Sequence, residues 1–374
     1  REAVILEAPV EQGNGQRQCI IAARFSEGGE RGVIAGDEIG GLESCRKTPG
    51  QVLAVAAAEP YTVVGIRRDL RLLARAFGDR AVIGAGTGLL AADLLLELEH
   101  RGALPERYAI LEVSGELRSR QFDTLAEKVP HLASRVCWLD TLPEHFSGAL
   151  IANEVLDVMP VHLVAWRPEG LFERGVAMDD AGRFVWADVP ASGRVAEAAA
   201  ALERPLPSTG EYVSELNLAG RAWIGEWAAR LERGALLLVD YGYPRAEYYL
   251  DSRSTGTLLC YYRHRAHPDP FLWPGLNDIT AFVDFTAMAE AGFDAGLDVL
   301  GYTSQATLLL NCGVLECLAR RAPEESPDYI RASRAVQRLT GPHEMGELFK
   351  VIALGRGIDA PLLGFRRGDR LHTL

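Results

Sequence analysis

Asn153, Glu154 and Asp157 stand together in GALIANEVLDVMPVH, one amide and two carboxylates just past an apolar run of strand length. Two kinds of chemistry are open to them. At a helix start, Asn153 would cap and Asp157 would complement the dipole. In a site, the carboxylates would grip a cation, because each ionised group presents two acceptor oxygens that match a guanidinium fork. Arginine needs such help to react, since its guanidinium stays protonated, with a pKa above about 12, and is a poor nucleophile. A pair of acids can fix one nitrogen in line with an electrophile and take up its proton.

A second set of residues points to a nucleotide-bearing cofactor. AVIGAGTGLL places Gly84, Gly86 and Gly88 between an apolar run and a helical segment. Glycines are needed where backbone turns tightly and approaches a ligand. The dinucleotide fingerprint G-x-G-x-x-G would put its third glycine at Leu89, so the match to NAD binding fails there. The G-x-G-x-G spacing fits S-adenosyl-L-methionine better, with helix-terminal N–H groups facing its carboxylate. Glu112 ends the next apolar run, 24 positions beyond Gly88, where it can accept both ribose hydroxyls. Asp140 ends the third run, CWLD, placed to accept from an adenine amino group.

Residues so far apart need elements that carry them to one edge. Apolar runs of strand length fall at Ala81–Ile83, Tyr108–Val113, Arg135–Leu139, Gly148–Ala152 and Ala235–Val239, with helical segments Leu89–His100 and Glu116–Lys128 between the first of them. This alternation predicts a parallel sheet with helices on both faces. Ligands of open α/β sheets sit outside the carboxyl ends of the strands, where the glycines and all these acids fall. Two more strands are predicted near Val299–Tyr302 and Phe349–Leu354, with a charged, proline-containing connection around Ala322–Tyr329 between them. Within a domain spanning residues 81–374, insertions are predicted at about 165–231, a polar stretch followed by helices Val195–Leu202 and Ala219–Leu231, and at about 256–295, rich in aromatics, proline and histidine. Residues 1–80 form an atypical segment rich in Gly, Glu and Arg without sustained period.

The 374 residues are 48% hydrophobic and 24% charged, an ordinary globular composition. The net charge of −12 argues against nucleic-acid binding driven by phosphate contacts. It suits a small molecule or a basic partner. Only Lys47, Lys128 and Lys350 are lysines, the mark of a GC-rich, bacterial genome. The six scattered cysteines contain no C-x-x-C pair and read as reduced thiols of a cytoplasmic protein rather than a metal site. No signal-peptide pattern opens the chain, and no apolar run reaches membrane-spanning length. Arg263-His264-Arg265-Ala266-His267 lacks neighbouring acidic or cysteine ligands and reads as a structural or substrate-orienting loop rather than zinc.

Several segments carry a family resemblance: ANEVLDVMPVH, LLLVDYGYPRAEYY, GTLLCYYRHRAHPDPFLWPGLNDITAFVDFTAM, GYTSQATLLLNCG and MGELFKVIALGRG. Together they resemble the MidA-like S-adenosyl-L-methionine-dependent methyltransferases, a family that includes the mitochondrial protein arginine methyltransferase of respiratory complex I assembly. The likeness runs from about Ile83 to Leu374. It implies a class I, Rossmann-like methyltransferase fold, mostly parallel with an antiparallel edge, and symmetric dimethylation of a protein arginine. The implied partner is a subunit of a NADH–quinone oxidoreductase of the complex I type. The resemblance assigns Gly84, Gly86, Gly88 and Glu112 to the cofactor, and its N-E-x-x-D element falls on Asn153, Glu154 and Asp157. Its D-Y-G element is Asp240, Tyr241 and Gly242, and its D-I-T element is Asp278, Ile279 and Thr280. On the substrate side this implies Asp240, Tyr241, Asp278, Thr280 and His264.

Two departures stand out. Val82 occupies a position where family members commonly carry an acid, two residues before the first loop glycine. Residues 1–80 do not resemble the family's N-terminal region, as a frame-shifted or wrongly joined reading of a GC-rich gene would produce; resequencing decides that. These departures support a rival reading, an assembly factor that keeps the fold without transferring a methyl group. An NAD-dependent oxidoreductase is disfavoured by Leu89 and by the lack of a hydride-transfer constellation.

Overall fold

The computed structural model describes residues 5–6, 22–23, 80–83, 86–112, 114–202, 210–263, 265–321 and 326–374. Most of the atypical segment 1–80, Gly84, Val113, His264 and residues 322–325 lie outside the described residues, as does the side chain of Val82. The described residues fall into two compact units: those within Leu53–Asp157, Gly220–Tyr248 and Phe282–Leu374 make the larger one, and those within Arg1–Val52, Val158–Ala219 and Tyr249–Ala281 the other.

The larger unit is built on one twisted sheet. Its strands are β1 (Arg80–Ile83), β2 (Arg107–Leu111), β3 (Val136–Leu139), β4 (Phe146–Asn153), β5 (Leu231–Tyr243), β6 (Val283–Asp284), β7 (Asp298–Ser304) and β8 (Phe349–Arg356). The order across the sheet is β3-β2-β1-β4-β5-β8-β7, with β6 added in parallel to the end of β5. Strands β1 to β5 run parallel, β8 is antiparallel to β5, and β7 is antiparallel to β8. The antiparallel strand therefore lies one in from the edge. Leu236 to Val239 of β5 are all buried, as are Ala149 to Asn153 of β4, the continuous apolar signature of strands covered on both faces.

Helix α1 (Leu89–His100) follows β1, and helix α2 (Gly115–Lys128) follows β2. Helix α1 buries Leu90, Leu94 and Leu95 in a core with Tyr108, Ile110, Ile151 and Val351. Helix α2 is capped by Ser114, whose hydroxyl accepts from the N–H of Leu117. The chain leaves β1 towards β2 and β3 on one side and returns to β4 and β5 on the other. That reversal is a topological switch point, and the crevice it opens lies at the carboxyl ends of β1 and β4.

The second unit is antiparallel. Its four-stranded sheet has the order Tyr212–Leu216, His162–Arg167, Gly170–Met178, Phe184–Pro190. Its three-stranded sheet has the order Arg265–His267, Leu259–Tyr262, Asp278–Thr280. Much of the stretch read from sequence as polar and then helical is thus strand, with helices at Gly193–Ala201 and Leu218–Arg230. The reason is visible in the pairing: Arg167 and Arg174 both bond Asp188, with Glu211 beside them, so charges stabilise strands whose apolar alternation is weak. Buried Glu215 accepts from the N–H groups of Thr257 and Leu258 and from the Thr257 hydroxyl, fixing the approach to the three-stranded sheet. Among the described residues no helix is long and apolar enough to cross a membrane.

Candidate active site

Strand β1 runs into the glycine turn, where Gly86 and Gly88 are buried and hold φ values of 48° and 90°. Side-chain-bearing residues rarely adopt that region. Gly88 is also tightly flanked: a Cβ there would stand 2.9 Å from the Cα of Gln121, so the turn rests directly on α2. Helix α1 begins at the next residue, aiming its unpaired N–H groups at the end of β1.

Glu112 follows β2 and is buried. Its Oε1 accepts from the N–H of Ser114 at 2.8 Å, and its Oε2 from Gln121 Nε2 at 3.2 Å. The same Nε2 donates to the carbonyl of Gly86 at 2.8 Å, while Gln121 Oε1 accepts from the Trp138 indole at 2.8 Å. One turn earlier, Arg118 donates to the main-chain carbonyls of Glu112 (2.6 Å) and Leu139 (2.8 Å) and pairs with exposed Asp140 at 2.8 Å. Gly86, Gly88, Glu112 and Asp140 are therefore gathered at the carboxyl ends of β1, β2 and β3. Sequence reading missed Arg118 and Gln121. The available signal was a glutamine in the apolar stripe Leu117, Gln121, Leu125 of α2, where a leucine would be ordinary.

The acid loop leaves β4 abruptly. Asn153 is the last residue of the strand, and the described residues 154–161 form turns and bends, so the helix-cap reading is not what the fold adopts. Asn153 Nδ2 donates to Glu154 Oε1 at 3.1 Å. Glu154 has φ 52° and sends its N–H to the carbonyl of Val239 on β5 at 2.9 Å. A side-chain-bearing residue in that conformation costs about 1–2 kcal/mol, so its neighbours must enforce it.

The enforcing group is Asp240, which is 1% exposed. Its Oδ2 accepts from the N–H groups of Val155 (3.2 Å), Leu156 (2.9 Å) and Asp157 (3.2 Å), and its Oδ1 from that of Tyr241 (2.9 Å). Asp240, which the resemblance assigns to the substrate side, lies beneath the acid loop and shapes it. Burial first, then the charges of Asp157 and Glu154, push its carboxyl well above the usual range, while the N–H donors pull the other way. Tyr241 donates its hydroxyl to Asp157 Oδ2. Its ring is wedged edge-on between Phe282 and Phe349, with centroids 5.1 and 5.5 Å away. The result is a fixed pair of acids at the carboxyl end of β4.

Asp278 and Thr280 belong to the three-stranded sheet of the other unit. Thr280 is buried and donates to the carbonyl of Leu259 at 3.4 Å. Burial pushes the Asp278 carboxyl up to about 6. His267 shares a hydrogen bond with Asn277 at 3.1 Å, and Tyr262 packs on Trp273 with centroids 4.6 Å apart.

Comparison with known proteins places this geometry. A family model described as "Putative S-adenosyl-L-methionine-dependent methyltransferase" matches residues 80–303. The mouse protein named protein arginine methyltransferase NDUFAF7, mitochondrial, is 32% identical over 304 residues, which cover 73% of this chain and 65% of the relative. The human protein of that name is 30% identical over 310 residues, with the same coverage. The chain thus spans slightly under two thirds of these relatives' length. A Burkholderia thailandensis crystal structure with S-adenosyl-homocysteine bound is 50% identical, covering 84% of this chain and 81% of that one, with a TM-score of 0.79.

Proposed function

The chain belongs to this family of S-adenosyl-L-methionine-dependent methyltransferases, and from that premise we propose that it methylates arginine side chains of a protein substrate. The observation that carries the reading is the acid loop, with Glu154 and Asp157 held after β4 by Asp240 and Tyr241. S-adenosyl-L-methionine, when bound, supplies a methyl group on a sulfonium, an electrophile with a good leaving group. Gly86 and Gly88 with the start of α1 would hold its amino-acid part, Glu112 its ribose hydroxyls and Asp140 its adenine amino group. This donor set fits the group, since buried Glu112 and exposed Asp140 follow adjacent strands beside the switch point.

In this reading Glu154 and Asp157 grip the guanidinium through charge-assisted hydrogen bonds. The grip neutralises its charge locally and turns one nitrogen towards the methyl group. As that nitrogen gains the methyl carbon, the carbon–sulfur bond would break with its electron pair going to sulfur, leaving a neutral thioether, and the nitrogen's proton would pass to a carboxylate of the loop. Most of the acceleration comes from alignment, which is why the loop needs so rigid a foundation. The names of the mouse and human relatives support arginine as the acceptor. The motif resemblance supports the finer statement, symmetric dimethylation of a subunit of a complex I type oxidoreductase.

The test is transfer of labelled methyl from S-adenosyl-L-methionine to a respiratory-membrane extract, followed by amino-acid analysis of the labelled band. Label on arginine, lost about 100-fold or more in Glu154→Gln, is the expected result. Equal labelling by wild type and Glu154→Gln would sink the role given to the acid loop. Binding of S-adenosyl-homocysteine with no labelled band would favour the assembly-factor reading.

A further inference from the structure

Gln121 is a fully buried amide in the apolar stripe of α2, one turn from Leu117 on one side and from Leu125 on the other. An amide is expensive there unless its polar atoms are bonded. Its bonds go to three separate pieces of the cofactor site: the carbonyl of Gly86 in the turn, the carboxylate of Glu112 after β2, and the indole of Trp138 in β3. The partners also dictate which way round the amide sits. The Trp138 indole can only donate, so it must meet Oε1. Nε2 then faces two acceptors, Gly86 O and Glu112 Oε2, and a flipped amide would lose all three bonds.

We propose that Gln121 is a positioning residue for cofactor recognition, setting the plane of the Glu112 carboxylate against the glycine turn so that ribose and amino-acid parts are gripped together. The proposal rests on the cofactor reading above. It acts through Glu112: the amide holds one carboxylate oxygen, and Ser114 N–H holds the other. Rotation of the carboxylate is thereby blocked from both sides. The backbone of Gln121 also underlies Gly88, so one residue registers the turn in two ways. The same logic says that glutamate cannot replace it. A carboxylate at position 121 would turn acceptor oxygens on Glu112 and on Gly86 O, where only a donor fits.

The experiment is titration calorimetry of the full chain with S-adenosyl-homocysteine, for wild type, Gln121→Met, Gln121→Glu, Glu112→Gln and the Gln121→Met/Glu112→Gln double variant. Thermal melts on each variant report folding. Gln121→Met should bind about tenfold more weakly than wild type, and Gln121→Glu more weakly still. The double variant should bind no more than about twofold worse than Glu112→Gln alone, because the amide has lost the group it orients. A role confined to packing α2 would instead lower the melting temperature and give additive losses in binding, which overturns the proposal. So does unchanged binding in Gln121→Met. If Gln121→Glu does not fold, the cycle with Gln121→Met decides alone. Failure of the wild type to bind S-adenosyl-homocysteine would overturn the cofactor reading itself, and the proposal with it.

Discussion

Replacing Asp240 separates the foundation of the acid loop from the acids it carries. One carboxylate accepts four backbone N–H groups, three of them from consecutive residues of the loop. In Asp240→Asn the amide oxygen can keep the three loop donors, but its NH2 then meets the N–H of Tyr241, donor against donor. That loses one bond and costs about 1–3 kcal/mol, partly offset because a neutral amide relieves the burial of charge beside Asp157 and Glu154. Asp240→Ala leaves four N–H groups without their acceptor. At about 1–3 kcal/mol for each group that stays buried, the loss exceeds about 4 kcal/mol unless the loop rearranges to reach water. Rearrangement is itself the functional damage, since a shift of about 1 Å in the acids lowers transfer on the order of 100-fold. Urea unfolding, S-adenosyl-homocysteine binding and methyl transfer, run in parallel, check this. Both variants should bind S-adenosyl-homocysteine within about threefold of wild type when folded, because Glu112 follows a different strand, and Asp240→Asn, which keeps the three loop donors, should lose less methyl transfer than Asp240→Ala. An Asp240→Ala variant that transfers normally and unfolds within about 1 kcal/mol of wild type would refute the reasoning.

Other perturbations test neighbouring parts. Gly88→Ala forces a side chain into a conformation with φ 90° and 2.9 Å from Gln121 Cα, so it should cost about 1–3 kcal/mol of stability and weaken S-adenosyl-homocysteine binding at least about tenfold, read by unfolding and calorimetry. Arg118→Met removes the donor shared by the carbonyls of Glu112 and Leu139 and should destabilise by about 1–3 kcal/mol, measured by urea unfolding. Asp278 supplies a pH signature. Its folded carboxyl is raised to about 6, so the native state holds a proton that the unfolded chain has released between about pH 4 and 6. Its contribution to stability therefore falls as pH rises through that window, and urea midpoints at pH 4.5 and 7.5 should show Asp278→Asn losing that slope. A slope unchanged in the variant would contradict it.

What the sequence determined by itself was the larger unit's sheet, and for a physical reason. Strands buried on both faces must be continuous apolar runs, and the helices between them must repeat at helical spacing, so β1 to β5 and the first helices are written locally. The positions of Gly86, Gly88 and the acids Glu112, Asp140, Glu154 and Asp157 at or just past strand ends were legible for the same reason: these residues interrupt that texture. The antiparallel unit was not legible, because its strands trade apolar alternation for charge pairs such as Arg174 with Asp188, whose partners are distant in sequence. Tertiary structure alone decided that Asn153-Glu154 starts no helix, since the choice is enforced by Asp240, more than 80 residues away. It also decided that Asp240 supports the loop from below, and that Gln121 joins three strand ends. A side chain's type shows what it can bond, but only the folded chain determines which backbone groups come within reach of it.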